Sequence, residues 1–193
     1  MKCEILSSET VFNEYILVEK TNLRWEKFDG NMSPESIRFV VRRGDSVGVV
    51  PVCRESGRIV LVKQFRFPAV RDDEDGYLWE IPAGMLDRDE EPVETAAREL
   101  FEEIGVSSEE IESLTSYYLS PGLLDERMHL YLAQIGECPQ IGAAGGNPDE
   151  HEDLLVQAFS KDEILAMIAQ HEIIDAKSLA GLLYYFSVYL SSR

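Results

Sequence analysis

Residues 84–106 read GMLDRDEEPVETAARELFEEIGV, and they carry the most informative pattern in the chain. Within it, Glu99, Glu102 and Glu103 are spaced so that they share one face of a helix. Three carboxylates this close repel one another, and a bound cation would remove that penalty. Hard oxygen ligands suit Mg²⁺, with Mn²⁺ able to substitute. The spacing therefore predicts a metal-binding helix.

The limits of this helix are marked in the sequence. Pro92 suits the first helical turn and Gly105 suits the position just past the last one, which predicts a helix from about Pro92 to Ile104. Arg98 lies one turn from both Glu94 and Glu102, so it can orient a carboxylate. We expect the apolar stripe to face the core; its members are Val93, Ala96, Ala97, Leu100 and Ile104.

Upstream, partial alternation of apolar residues predicts strands at 9–19, 23–28 and 36–43. Together they indicate an antiparallel β module over residues 1–44, followed by a second domain at 45–193. A three-stranded piece of this size is too small to be stable alone. We therefore expect it to pack on the rest of the chain or on a second subunit.

The second domain alternates strand and helix patterns, which favours an α/β layered fold. A Gly- and acid-rich loop is predicted at 136–153. The predicted strands are 47–52 and 59–65, joined as a hairpin, then 77–81, 114–119, 128–135 and 154–159, and the remaining helices are 160–170 and 176–191.

The charge of the chain is strongly negative, with 36 acids against 18 bases and a net charge of −18. Nucleic acids and anionic membranes need basic surfaces, so we expect neither as a partner. Such a chain also repels a phosphate substrate unless divalent cations and a few local arginines reverse the field at the site.

Three widely spaced cysteines, Cys3, Cys53 and Cys138, show no metal-ligand spacing. We expect them to be reduced thiols of a cytoplasmic protein. The N-terminal residues contain no apolar run typical of a signal peptide, and no apolar stretch approaches the roughly 18 residues that cross a bilayer.

The stretch at 84–106 resembles the Nudix box at every specified position. That box reads Gly, five residues, Glu, seven residues, Arg-Glu-apolar-x-Glu-Glu-x-Gly-apolar. The matching residues are Gly84, Glu90, Arg98, Glu99, Leu100, Glu102, Glu103, Gly105 and Val106. The resemblance implies an α/β/α sandwich with a mixed sheet, and hydrolysis of a pyrophosphate by water.

By the same resemblance, Glu99 and Glu103 are the principal metal ligands. Glu102 lies beside them, and the Ala83 carbonyl adds a further ligand. As a principal metal ligand, Glu103 is also expected to be a catalytic residue. The resemblance implies that Glu90 and Arg98 brace the loop.

The resemblance extends beyond the box to one branch of the family, the ADP-ribose pyrophosphatases and nucleoside diphosphate sugar hydrolases. It rests on Lys63–Arg66, Leu78–Gly84, Ser120–Gly122, Asp125–Arg127 and Asn147–Asp153. This branch implies hydrolysis of ADP-ribose to AMP and ribose 5-phosphate. It also implies an interlocked homodimer formed through the N-terminal module.

Within this branch, Arg66 matches an arginine near the phosphates and Glu80 an acid near the site. Arg127 either contacts phosphate or forms a salt bridge. Trp25 either stacks on a nucleobase or packs at the dimer interface. The catalytic base lies in the loop after the glycine-rich stretch, where Glu150 and Glu152 are both candidates and Glu150 is slightly favoured.

Three alternatives remain open. Within enzymes, the substrate could be another nucleoside diphosphate sugar, such as GDP-mannose, because the box recognises pyrophosphate and metal but neither base nor sugar. A catalytically silent nucleotide-binding regulator is a different class, yet such proteins usually lose a ligand glutamate. An acidic calcium-binding protein is disfavoured because no EF-hand spacing is present.

Overall fold

The computed structural model describes residues 2–87, 89–139, 143–145 and 153–192. The chain forms two compact units. The first is Met1–Asp45 together with Tyr118–Arg127, and the second is Ser46–Tyr117 together with Met128–Arg193. A functional boundary between residues 44 and 45 stays a prediction.

The first unit contains a three-stranded antiparallel sheet in the order β1-β2-β3, formed by Cys3–Asn13, Leu17–Trp25 and Ser36–Arg42. The strand predicted at 36–43 is confirmed. The single strand predicted at 9–19 is wrong, because the chain reverses there and Asn13 pairs with Leu17. Both arms of this hairpin carry the same partial alternation, so the pattern continues across the turn.

The segment 118–127 is bound to β3 within the first unit. The Val41 N–H donates to the Leu123 carbonyl at 2.9 Å, and the Asp125 N–H donates to the Val41 carbonyl at 3.3 Å. The Asp125 carboxylate accepts from the Arg43 N–H at 2.9 Å. The Ser120–Gly122 turn therefore belongs structurally with the N-terminal strands.

The second unit is built on an eight-stranded mixed sheet. Its strands, β4 to β11, are Ser46–Cys53, Ile59–Phe65, Tyr77–Glu80, Ala83–Met85, Glu110–Tyr118, Arg127–Ile135, Ala143–Gly145 and Leu154–Phe159. The strand order is β10-β11-β5-β4-β9-β8, with β6 paired to β5 and β7 paired to β4. β4 and β9 are parallel, whereas β4 and β5 form the predicted antiparallel hairpin.

The loop predicted at 136–153 is wrong at β10, a three-residue strand that pairs with β11. A strand this short carries too few residues for an alternating pattern to mark it. It forms because β11 offers it a neighbouring edge, which is a tertiary condition.

The helices are α1 (Pro92–Ile104), α2 (Lys161–Ala169) and α3 (Ala176–Tyr184). α1 has the predicted limits: Pro92 opens it and Gly105 closes it in the left-handed conformation, with φ of 69°. A short 3-10 helix lies at Phe67–Ala69. The last predicted helix is α-helical only to Tyr184 and continues as a π-helical turn, Tyr185–Tyr189, and a 3-10 turn, Leu190–Ser192.

Two apolar layers confirm the sandwich. Alternate residues of β4 and β5 point to opposite faces of the sheet. One layer packs α1 through Ala96, Leu100 and Ile104. The other packs α2 and α3 against residues such as Val50 and Leu61. The expectation for Val93 is wrong, because this residue lies in the first turn of α1 and is 41% exposed.

The expectation of three reduced cysteines is wrong for two of them. Cys53 and Cys138 form a disulfide, with their Cα atoms 5.4 Å apart. The pairing follows from the parallel strands: Cys53 at the end of β4 lies beside Ile135 at the end of β9, and the chain then turns back. Cys3 is exposed. In the described part of the chain, no helix has both the length and the apolarity to cross a membrane.

Candidate active site

The acidic face of α1 is directed inward, toward strand β7. Glu99 and Glu103 are buried beside the apolar stripe, with Glu103 only 2% exposed, and Glu102 is half-buried. A Cβ on residue 84 would lie 1.8 Å from the Glu99 Oε1 atom. Only glycine at position 84 therefore leaves room for the Glu99 carboxylate.

A second carboxylate of α1 reaches the backbone of β7. The Ala83 N–H donates to Glu103 Oε1 at 3.4 Å. β7 is itself fixed by antiparallel pairing with β4, where Gly48 is the partner of Ala83. The sheet thus sets the position of the Ala83 peptide next to the acidic helix face.

Arg98 bridges the carboxylates of this region. Its Nη1 atom donates to Glu99 at 2.8 Å and to Glu102 at 2.9 Å, and its Nη2 atom donates to Glu90 at 3.2 Å. Burial opposes the charge of Arg98, but the hydrogen bond to Glu90 and the charge of Glu99 outweigh it and raise its pKa. The predicted bracing role fits this geometry, while Glu94 instead belongs to the capping box of α1.

The donor set fits a hard divalent cation, since three carboxylates and one backbone carbonyl offer oxygen alone. The absence of a Cβ at Gly84 leaves a recess for the Glu99 carboxylate, which places this oxygen donor beside β7. Among the residues that the structure describes, no three acidic, histidine or cysteine side chains are already grouped around one point. The Arg98 guanidinium lies between Glu99 and Glu102 and supplies positive charge there.

Arg66 and Glu80 form a bidentate ion pair near α1. The Nε atom of Arg66 donates to Glu80 Oε1 at 3.0 Å and the Nη2 atom donates to Oε2 at 2.8 Å. The Glu80 side chain is 2% exposed, whereas that of Arg66 is 40% exposed. One edge of the guanidinium is therefore fixed by a buried carboxylate.

Each partner of this pair favours the charged form of the other. Burial disfavours ionised Glu80, but Arg66 and Lys177 together lower its pKa below the ordinary carboxyl value. Burial likewise opposes the Arg66 charge, yet the hydrogen bonds to Glu80 and the charges of Glu80, Glu103 and Asp175 raise its pKa. Arg66 is thus a permanent cation within electrostatic reach of Glu103.

Lys177, near the start of α3, is a site residue that sequence reasoning missed. Its ammonium donates to Glu80 Oε2 and lies 3.1 Å from Asp175 Oδ2. The available signal was a single lysine in an otherwise apolar helix (AKSLAGLLYY), a position where a charge needs a partner.

The structure brings six of the predicted site residues together in the second unit: Arg66, Glu80, Ala83, Glu99, Glu102 and Glu103. Trp25 and Arg127 belong to the first unit. There the Arg38 guanidinium lies 5.1 Å from the centre of the Trp25 ring. The two candidates for the base, Glu150 and Glu152, lie outside the described residues.

Comparison with known proteins identifies the family. A model of the NUDIX domain matches residues 42–182. A methanol dehydrogenase activator of Bacillus methanolicus is 39% identical, covering 77% of this chain and 76% of that protein. An ADP-ribose pyrophosphatase of Bacillus subtilis is 34% identical, covering 93% and 92%. A GDP-mannose pyrophosphatase of Pectobacterium atrosepticum is 32% identical, covering 91% and 90%.

The fold has a counterpart among solved structures. A crystal structure of an ADP compounds hydrolase superposes with a TM-score of 0.76 at 21% identity. The match covers 100% of this chain and 96% of that one. This likeness supports the sandwich architecture and the N-terminal sheet described above.

Proposed function

This chain belongs to the NUDIX domain family, and we propose that it hydrolyses the pyrophosphate bond of ADP-ribose, giving AMP and ribose 5-phosphate. The observation that carries the proposal is the buried carboxylate pair Glu99 and Glu103, seated against Gly84 and Ala83 with Arg66 nearby. The similarity to an ADP-ribose pyrophosphatase over almost the whole chain supports the choice of substrate.

The carboxylates of α1 and the Ala83 carbonyl would hold the divalent cation, for which we propose Mg²⁺ with Mn²⁺ as a substitute. Such an ion neutralises phosphate charge and lowers the pKa of bound water. Glu103, buried and oriented by the Ala83 N–H, fixes the geometry of this site. Arg98 donates to the carboxylates of both Glu99 and Glu102 and so restricts where they can lie.

Arg66 would bind the phosphates of the substrate. Its Nε and Nη2 atoms are engaged by Glu80, while in the described part of the chain its Nη1 atom has no hydrogen-bond partner. A guanidinium with one edge fixed and one edge open is suited to a phosphate, whose oxygens match the planar fork of donors. Arg66 also supplies local positive charge, which would offset the repulsion between a phosphate substrate and a chain of net charge −18.

The catalytic base is proposed from sequence alone. Glu150 and Glu152 follow the glycine-rich stretch, and a carboxylate there could deprotonate the attacking water when the loop closes on the substrate. We further propose that Trp25 stacks on the nucleobase of the substrate and that Arg127 contacts a phosphate.

A second substrate has specific support. The GDP-mannose pyrophosphatase relative covers nearly as much of the chain, at 32% identity. The α1 carboxylates and Arg66 would contact only metal and phosphate, so they do not distinguish one nucleobase or sugar from another. A GDP-sugar is therefore the alternative to ADP-ribose.

A panel of nucleoside diphosphate compounds tests the proposal. ADP-ribose, GDP-mannose and related sugars are incubated with Mg²⁺ or Mn²⁺, and the products are resolved by chromatography. We expect AMP from ADP-ribose at the highest kcat/KM. A higher kcat/KM for release of GMP from GDP-mannose would favour the alternative, and cleavage of none of them would refute enzymatic function.

We also propose a homodimer formed through the first unit. Its strands expose several apolar side chains, and Phe28 in the loop after β2 is 97% exposed. A three-stranded sheet gains stability when such a surface is covered, and a second copy would cover it. The exposed group includes Ile5, Leu6, Val11, Phe12, Ile37 and Phe39. Sedimentation of the full chain and of a chain lacking residues 1–40 tests this assembly, since a stable active monomer without these residues would refute it.

A further inference from the structure

The cation at Lys177 has no part in the proposed chemistry, yet it shares a buried carboxylate with the arginine proposed to bind phosphate. We infer that Lys177 is a positioning residue for Arg66. Lys177 and Arg66 share the Glu80 carboxylate, so Lys177 helps to neutralise the negative charge beside Arg66. The open edge of Arg66 can then attract an anionic ligand. The inference rests on the proposed function of Arg66 and identifies a residue on which that function depends.

The contacts show how the carboxylate is divided. Glu80 Oε1 accepts from the Arg66 Nε atom at 3.0 Å, whereas Glu80 Oε2 accepts from both Arg66 and Lys177. The side chains of Glu80 and Lys177 are 2% and 11% exposed, so water cannot replace either partner readily. Glu80 is therefore an anion held between two cations, one buried and one facing the site.

The charges of the cluster balance only when the lysine is present. Arg66 and Lys177 carry two positive charges, and Glu80 and Asp175 carry two negative charges, so the sum is zero. Without Lys177 the sum becomes −1. That negative charge would lie near Glu103, whose charge Arg66 already feels, and would repel the phosphates that Arg66 is to bind.

Hydrogen bonds hold the start of α3, which carries Lys177, in place. The Asp175 carboxylate accepts from the Ser178 N–H at 3.0 Å and from the Ser178 hydroxyl at 2.6 Å. The Ser178 Oγ atom in turn accepts from the Ile81 N–H at 2.9 Å, and the Tyr117 hydroxyl donates to the Lys177 carbonyl at 3.1 Å. These bonds connect the helix start to the chain just after β6, where Glu80 lies.

The Lys177–Glu80 ion pair is not needed to attach α3 to the sheet. α3 already packs on the sheet through Leu182, which is fully buried. A buried ion pair gives little stability compared with apolar residues of the same volume, because both charges lose their hydration. The lysine at this position is better explained by its effect on Glu80 and Arg66.

The test compares three variants by ligand affinity. Lys177→Met removes the charge and keeps the length, Asp175→Asn removes the opposing charge and keeps the cap, and the double variant removes both. The control is Lys161→Met, which removes a lysine from the start of α2, where it lies over the Phe186 ring. Calorimetry with EDTA measures the Kd of ADP-ribose and of inorganic pyrophosphate, and assays with Mg²⁺ measure KM and kcat.

We expect Lys177→Met to raise Kd and KM by about 10- to 100-fold, the order expected when one unit of uncompensated charge lies within about 10 Å of an anionic ligand in a partly buried site, with kcat much less affected. Asp175→Asn should not weaken binding, and the double variant should regain most of the affinity because its cluster is again neutral. A merely structural role predicts the opposite, since the double variant loses more contacts than either single one.

An unchanged Kd in Lys177→Met, or a loss that Asp175→Asn does not repair, would overturn the inference. If Lys177→Met does not fold, Lys177→Gln replaces it with the same expected result. Failure of the proposed function is a separate outcome: wild-type protein then cleaves no ADP-ribose, while the pyrophosphate affinities still report on Lys177 and Arg66.

Discussion

The Glu99 carboxylate occupies the space that a side chain on residue 84 would fill. A Cβ at position 84 would lie 1.8 Å from Glu99 Oε1 and 2.1 Å from its Cδ atom. Strand β7 and the first carboxylate of the acidic face are therefore packed against one another. This explains in steric terms why a glycine begins the motif that predicts the fold.

We predict that Gly84→Ala lowers kcat/KM by about 100-fold, as expected when a group at the reacting centre is displaced by about 1 Å. The added methyl must push Glu99 or the β7 backbone aside. Steady-state kinetics with Mg²⁺ measures the effect. Gly136→Ala is the matched control, because a Cβ there meets no atom within 4 Å. Equal activity of the two variants would contradict the steric argument.

For Glu103→Gln we predict a fall in turnover of about 10²- to 10⁴-fold, the range for losing charge stabilisation at a phosphate centre. The amide keeps the shape of the side chain, so the change removes mainly the charge. Metal affinity, measured by titration calorimetry with Mn²⁺, should fall in parallel. An unaltered rate would show that Glu103 is not a ligand.

The pH dependence of stability should change in Glu80→Gln. The folded-state pKa of Glu80 is lowered, so its ionised form stabilises the fold above the ordinary carboxyl pKa, and this contribution is lost as pH falls through the folded-state pKa. The wild type should therefore have a higher Tm than the variant at neutral pH, with the difference shrinking in acid. Thermal unfolding across the acid range measures it, and a constant difference would contradict the assignment.

The choice between Glu150 and Glu152 is decided by comparing Glu150→Gln with Glu152→Gln. We predict that Glu150→Gln gives the larger fall in kcat while metal affinity stays near normal, because a base removes a proton and does not bind the ion. A greater loss in Glu152→Gln would identify that residue as the base. Both variants can be assayed at saturating Mg²⁺ and substrate.

Thiol chemistry tests the disulfide. Protein denatured without reductant should react with a thiol reagent at Cys3 alone, and reduction should add Cys53 and Cys138. The two cysteines are 85 residues apart, so the bond closes a long loop and should contribute about 2–4 kcal/mol to stability. Reductant should therefore lower the Tm of the wild type but leave Cys53→Ser unaffected. Three reactive thiols without reductant would show that the bond does not form.

Much of this protein was readable from local sequence. The limits of α1 follow from Pro92 and Gly105, and the spacing of Glu99, Glu102 and Glu103 places them on one helical face whatever surrounds the helix. The hairpin of β4 and β5 and the layered α/β architecture follow from patterns of similar range. Helix periodicity and turn residues act over a few positions, so a single sequence is sufficient to identify them.

The tertiary structure decided the features that join distant residues. The pairing of Cys53 with Cys138 depends on β4 and β9 lying side by side, and β10 exists only where β11 offers its edge. The attachment of Glu80 to both Arg66 and Lys177 brings together a strand end and a helix start 97 residues apart. The sequence predicts an acidic helix and a metal-binding role for it, whereas the packing of that helix against one face of the sheet, with α3 on the other face, decides which charges meet in the site.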